Sequence, residues 1–458
     1  MDTSRTKSIA HPRQSSSSRP PGPKGWPFLG NIPAIRRDPL AFFTDCAHRY
    51  GDVVAVSFGP KTAVLLSDPA DIERVLLSEH VTFPKNSFFW RQVSAVFGNG
   101  LLTSSGSFWQ RQRRLAAPAF AGQKLASYAE AMVRLTERML DSWRAGETRN
   151  IHADMMALTL RIAAETLFGA QVEADVSRMD AAMHDIGEEI AARFSRPILI
   201  PDAVPLPGHL RYRRGLRVIE EVVTRIIAER RKDRGSDLLS AMMNARDETG
   251  AAMSDEQLRD EAITLLLAGH DTTALALTWT LYLLGHHPEA DAALAAEAQA
   301  VLGDRAAGIE DVSRLQRTEW TVKEGMRLFP PAWIIGREAG TDCVIKGFPV
   351  RAGTQLYMSP WVLNRNPRYY ETPEQFRPER WQDGLERRLP RFAYLPFGGG
   401  PRICIAHRFA MIEAVLILAT ITRRFRLVTA QTPPADPFPS ITLGPRGSVD
   451  AQVEARTV

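Results

Sequence analysis

Residues 261–284 form an almost unbroken apolar run, long enough to cross either a bilayer or a large protein core. Whatever fold the chain adopts must bury this segment along its whole length. Its middle reads Ala268-Gly269-His270-Asp271-Thr272-Thr273. Ionisable groups at the centre of a lipid-facing helix are costly, so this insertion favours a helix through a protein core over a membrane span. Gly269 and Thr272 stand three apart and share a helical face. The glycine leaves room there for a flat ligand, and a threonine hydroxyl can bond back to the preceding turn. Asp271 places a carboxylate beside them, whereas His270 should face away and reads as structural.

A second constraint lies near the C-terminal end, in Phe397-Gly398-Gly399-Gly400-Pro401-Arg402-Ile403-Cys404-Ile405-Ala406. Three glycines and a proline make a tight, irregular turn ahead of an apolar helical stretch at 407–421. Cys404 is thereby expected at a helix N-terminus. Unpaired backbone N–H groups and the helix dipole there favour thiolate, the metal-binding form. Arg402 adds a positive charge two residues away.

This loop resembles the haem-binding loop of the cytochrome P450 family, the haem-thiolate monooxygenases. It departs from the family pattern at Ala406, where glycine is usual. The insertion at 268–273 matches the family's oxygen-activation motif, and Trp109 with Arg113 matches its Trp-x-x-x-Arg signature. Glu324-Gly325-Met326-Arg327, with Leu328-Phe329-Pro330-Pro331 after it, looks like the Glu-x-x-Arg helix. Phe376-Arg377-Pro378-Glu379-Arg380-Trp381 looks like the Pro-Glu-Arg meander.

The resemblance implies a mainly α fold, a large helical domain with a small β-rich part, carrying haem b. It makes Cys404 the axial iron ligand. It assigns Trp109, Arg113, Arg337 and Arg402 to the haem propionates, and places Gly269 and Phe397 against the ring. Asp271 would relay protons from solvent and Thr272 would assist oxygen activation. Glu324, Arg327 and Arg380 would form a buried charge triad fixing the loop. The implied reaction inserts one atom of O2 into a C–H or double bond and releases the other as water. A cysteine-ligated haem sensor would not need Asp271 and Thr272. A peroxide-driven relative typically lacks the acid–alcohol pair.

Family recognition segments fall at 88–97, 199–206, 265–272, 332–335 and 440–443. From them Phe88, Phe97, Leu265, Ala268, Trp333, Ile334 and Thr442 are expected to wall the substrate pocket. These walls are aliphatic or aromatic with no carboxylate clamp, which favours a fairly large apolar ligand of terpenoid, steroid, fatty acyl or polyketide type, unranked.

Elsewhere the pattern predicts a β-hairpin at 53–66, a helix from 69 to about 77, a loop-like aromatic stretch at 82–102, and helices through 123–169, 179–193 and 210–234. Short strands are expected at 343–350 and 355–358. The apolar segment 198–207 is either a lid or a plain surface crossing. No linker interrupts 20–458, so this span reads as one haem domain behind a Ser- and Arg-rich disordered tail at 1–19. The three cysteines, Cys46, Cys343 and Cys404, suit a reducing, cytoplasmic setting rather than a disulfide framework. A formal charge of +5 over 458 residues is too diffuse for a nucleic-acid binder. With no apolar N-terminal segment, no transmembrane anchor is expected, and the chain reads as a soluble monomer, a stand-alone haem domain. No flavin or iron–sulfur motif follows, so electrons would come from a ferredoxin or flavodoxin with its NAD(P)H-dependent reductase. Arg111, Arg114, Arg387, Arg388, Arg391 and Arg408 form either a steering face for that acidic donor or ordinary solubilising charge.

Overall fold

A computed structural model describes residues 19–196, 200–233, 235, 237–246, 250–429 and 435–456. Residues 1–18 of the expected tail and residues 198–199 of the candidate lid lie outside these.

The expected hairpin is present as strands β1 (Val53–Phe58) and β2 (Lys61–Leu66). The helices that build and support the main core include α1 (Phe88–Phe97), α2 (Gly106–Ala116), α3 (Gly122–Asp141), α4 (Ile151–Phe168), α5 (Val176–Ser195), α6 (Pro207–Lys232), α7 (Asp255–Gly285), α8 (Gln316–Leu328) and, near the C-terminus, α9 (His407–Arg424). Between the last two come strands β3 (Ile335–Glu338) and β4 (Gln355–Met358). The four strands form one sheet in the order β1-β2-β4-β3, antiparallel except for the parallel β2–β4 pair, in which Val64 stands opposite Leu356. Alternate residues face opposite ways along a strand. Val53, Val64, Leu66, Leu356 and Met358 thus build a small sheet-side core, while Val54, Val56, Ala63 and Leu65 join the main helical core.

Helix α7 organises that main core. It begins at a capping box, Ser254 with Gln257, each side chain bonding the other residue's backbone N–H. Its apolar residues are buried on all sides against α4, α6, α8 and α9, so the polar insertion sits inside protein. Among the described residues no helix is long and apolar enough to cross a membrane.

One element departs from expectation. The stretch read as loop contains α1, which buries Phe89, Trp90, Val93, Val96 and Phe97 along one stripe. Gly98 ends it with φ +63°, a conformation that favours glycine.

Helix α8 holds the meander at 376–381 that precedes the Cys404 loop. Glu324 and Arg327 have no solvent exposure at all. Arg327 donates Nε to Glu324 Oε2 and a terminal nitrogen to Oε1, each at 2.9 Å. Glu324 also accepts from Arg380 Nε, from the indole of Trp381 and from the backbone N–H of Arg377, all at 2.9 Å. Arg327 reaches the carbonyls of Asn364, Pro373 and Gln375 as well. Every oxygen of this buried carboxylate is therefore satisfied, and one helix pins the meander. Glu324→Ala would strand two buried guanidinium groups, a loss of about 3–5 kcal/mol. Denaturant unfolding should show a destabilisation of that order, and unchanged stability would refute the anchoring role.

Candidate active site

Helix α7 presents its polar insertion to a cavity of about 340 Å³ that the cysteine loop also lines. Thr272 Oγ1 donates to the Ala268 carbonyl at 2.8 Å and Thr273 Oγ1 to that of Gly269 at 3.3 Å. The helix nonetheless runs unbroken from Asp255 to Gly285. With its hydroxyl hydrogen committed, Thr272 can only accept a hydrogen bond from the cavity side. A Cβ on Gly269 would meet nothing nearer than Leu167 Cδ1 at 3.9 Å, so the glycine leaves a flat opening. Burial raises the Asp271 carboxyl above its ordinary range, against the smaller opposing pulls of the His270 ring, Thr442 and the His152 ring. His270 is also buried, bonds its own helix through Nδ1 to Leu266 O at 2.9 Å, and is held neutral by burial.

The cysteine loop lines the same cavity. Gly400 has φ +66°, and a Cβ there would lie 1.9 Å from Leu76 O, so only glycine fits. The Cys404 backbone N–H donates to Phe397 O at 2.9 Å, drawing the loop tight. Ala406 has φ −94°, an ordinary value for a residue with a side chain, and its N–H points at the Cys404 sulfur. The departure from glycine thus carries no backbone strain.

The thiol does not behave as its helix-terminal position suggests. Burial raises the Cys404 pKa, and the opposing pulls of the Ala406 N–H and Arg113 are smaller. Desolvation outweighs the local field here, and a cation bound at the sulfur would reverse that preference.

Four cations reach the cavity edge between these faces: Lys85, Arg113, Arg337 and Arg402. None makes an ion pair with a carboxylate among the described residues. Arg337, 5% exposed, bonds only the Gly336 carbonyl, and burial with Arg402 nearby lowers it to about 9. Arg402 donates to Ser104 O at 2.7 Å and stacks 4.0 Å from the Trp109 ring; burial, then Arg113, lowers it to about 10. Lys85 Nζ donates to Leu102 O at 2.8 Å and lies 3.9 Å from the Trp90 ring, with its pKa pushed well down by burial. Burial likewise lowers Arg113. Several desolvated cations without a protein anion are unfavourable unless a ligand brings negative charge. A flat apolar group with two carboxylates and a thiolate-binding metal fits this donor set, and haem has those features.

Nearly all the expected site residues line this one cavity: Trp109, Arg113, Arg337, Phe397, Arg402 and Cys404, together with Gly269, Asp271 and Thr272. Phe97, Leu265, Ala268, Ile334 and Thr442 form apolar wall. Phe88 and Trp333 do not line it. Phe88 lies edge-on to Phe194 with centroids 5.4 Å apart. Trp333 donates its indole N–H to Ser440 O at 2.9 Å and packs toward Phe43. In their places Phe89, Trp90 and Ala332 face the cavity. Lys85 is not singled out by the sequence motifs, although a lone lysine among Phe83, Phe88, Phe89 and Trp90 is a signal that could have found it. Nor is Trp381, whose role is visible only once Glu324 lies beside it.

The family model described as "Cytochrome P450" matches residues 20–449. The chain is 36% identical to cyclooctatin synthase of Streptomyces melanosporofaciens over 92% of its own length and 93% of that protein. It is 36% identical to cyclooctat-9-en-7-ol 5-monooxygenase of the same organism, covering 90% and 92% of the two chains. To pentalenene oxygenase of Streptomyces avermitilis it is 32% identical, covering 91% and 92%. The motifs, the helical fold with its small sheet, and these likenesses agree: the chain belongs to the cytochrome P450 family of haem-dependent monooxygenases, which use O2 and redox partners.

Proposed function

We propose that this monooxygenase hydroxylates or epoxidises a fairly large, apolar terpenoid, using haem b and two electrons from separate redox proteins. The observation that carries the reading is a cavity lined by Cys404, Asp271 and Thr272 together with mostly apolar side chains. Relatives named for terpenoid oxidations support the substrate class.

In this reading Cys404 holds the iron and loses its proton on binding it. Arg113, Arg337, Arg402, Lys85 and the Trp109 indole hold the two propionates by charge and hydrogen bonding. When bound, the thiolate-ligated haem supplies the oxygen activation and transfer. Thr272 would offer its oxygen as an acceptor toward the cavity, and Asp271 would hold and pass protons there. Phe97, Leu265, Ala268 and Ile334 exclude water and present hydrocarbon to hydrocarbon. Among the described residues the cavity lining is largely apolar, and its cations are Lys85, Arg113, Arg337 and Arg402, those assigned above to the propionates, which favours a terpene hydrocarbon or alcohol over a fatty acid. Exposed Arg387, Arg388 and Arg408 suit an acidic ferredoxin or flavodoxin, itself reduced by an NAD(P)H-dependent reductase. The enzyme works as a cytoplasmic monomer.

Three measurements test this. Cys404→His should keep haem yet lose the strongly red-shifted Soret band of the reduced CO complex; a band unchanged by the substitution refutes the ligand. Thr272→Ala should go on consuming NAD(P)H while diverting most of it to peroxide, and full coupling would exclude its role. Titrating the ferric enzyme with cyclooctat-9-en-7-ol and pentalenene, against laurate as a fatty-acid control, should give a spin-state change with a terpenoid. A change with laurate alone would overturn the substrate class.

A further inference from the structure

Between α1 and α2 the chain turns through residues 98–105 without helix or strand. Buried backbone groups in such a stretch need partners that no helical or sheet ladder supplies. Here side chains supply them. The Asn99 N–H donates to Asp260 Oδ2 at 2.7 Å and the Leu101 N–H to Glu261 Oε2 at 2.9 Å. The Phe97 carbonyl accepts from Thr264 Oγ1 at 3.3 Å. Asp260 and Glu261 stand four and three residues before Thr264, so all three present to one side of α7. Further on, the carbonyls of Leu102 and Ser104 accept from Lys85 and Arg402. The segment is a strap, with N–H groups fastened to helix acids and carbonyls to two of the cavity's cations.

The strap lies hard against the helix. A Cβ on Gly98 would fall 2.3 Å from Asp260 Cγ, and one on Gly100 2.2 Å from Thr264 Oγ1. Neither acid lines the cavity, whereas Phe97, Leu101 and Leu102 do. Asp260 shares its charge with Arg259, whose guanidinium donates to Oδ1 at 2.9 Å. Glu261, 2% exposed, has no such partner. Burial raises its carboxyl to about 7, against the pull of the Leu101 N–H and with a smaller push from Asp260. Its Oε1 has no hydrogen-bond partner among the described residues. A desolvated carboxyl is costly, and what this one holds is the strap.

We propose that Glu261, supported by Asp260, is the positioning residue that fixes where the 97–102 wall stands, and so sets which ligand sizes the cavity accepts. It acts through the Leu101 N–H on the placement of the Leu101 and Leu102 side chains. A wall built on a helix or strand is held by its own backbone ladder. This one takes its place from side chains of α7, so part of the cavity's width is decided at positions outside it. The inference rests on the reading of the cavity as a haem and substrate site.

The test uses the ferric, haem-loaded protein and two iron-binding probes followed by the Soret shift. Imidazole fills little beyond the iron, whereas 4-phenylimidazole also presses a ring against the cavity walls. In Glu261→Leu the Kd for 4-phenylimidazole should rise about tenfold, the scale of a misplaced apolar contact, while that for imidazole stays within about twofold. Glu261→Gln keeps an oxygen for the Leu101 N–H and should restore the unaltered affinity. Leu101→Ala should match Glu261→Leu, and the double variant should lose nothing further, because the two changes act on one contact. Gly100→Ala pushes the strap off the helix with both carboxylates intact. It should reproduce the size-dependent loss even where Glu261→Leu fails to fold. Equal changes for the two probes, no change for either, an additive double variant, or a Glu261→Gln as impaired as Glu261→Leu overturns the positioning role and leaves the wider functional reading standing. An unaltered protein with no Soret shift on adding imidazole overturns the haem reading, and the inference falls with it.

Discussion

Desolvation without a protein counterion is the constraint on which this structure turns. Lys85, Arg113, Arg337 and Arg402 are brought to one cavity edge with no carboxylate paired to any of them among the described residues, and a thiol at the same cavity is pushed toward its neutral form. Burying charge is unfavourable unless each charge is paired. The fold honours that rule elsewhere. Glu324 takes five donors at zero exposure, and Asp311 is clamped by Arg305. The contrast between a saturated anion in α8 and uncompensated cations at the cavity marks the latter as a site awaiting an acidic ligand. A metal at Cys404 would also reverse the thiol's preference.

The scaffold serves that site by keeping its two faces on stiff elements. Helix α7 is buried on all sides, so the Thr272 and Asp271 side chains inherit the rigidity of the main core. The cysteine loop has only one short 3-10 turn of its own, Gly400–Arg402. It is held by the Cys404–Phe397 backbone bond, by the approach of Gly400 to Leu76, and by the charge cluster that fixes the adjoining meander. Binding geometry of this kind is set by supporting contacts as much as by the groups that touch the ligand.

Much of this is legible in residue order, and what is not has identifiable causes. The long apolar helix with its polar insertion announces itself because no other segment combines that length with that hydropathy. The boundaries of β1, β2 and β4 follow from alternation and turns. Helix α1 is hidden because Phe88, Phe89 and Trp90 in succession blur the 3.6-residue period and resemble an aromatic loop. Phe88 and Trp333 are apolar and adjacent to true wall residues, and only tertiary packing decides that Phe194 and Ser440 claim them. The ionisation of Cys404 escapes residue order for a related reason. The helix-terminal field is local and can be read from sequence, whereas the burial that outweighs it is contributed by distant elements.

The proposed chemistry stands or falls on one bond, between the Cys404 sulfur and a haem iron. X-ray absorption at the iron edge of the purified, haem-loaded protein tests it most directly. One sulfur neighbour should appear in the first coordination shell and vanish in Cys404→Ser. A shell of nitrogen and oxygen alone in the unaltered protein would contradict it.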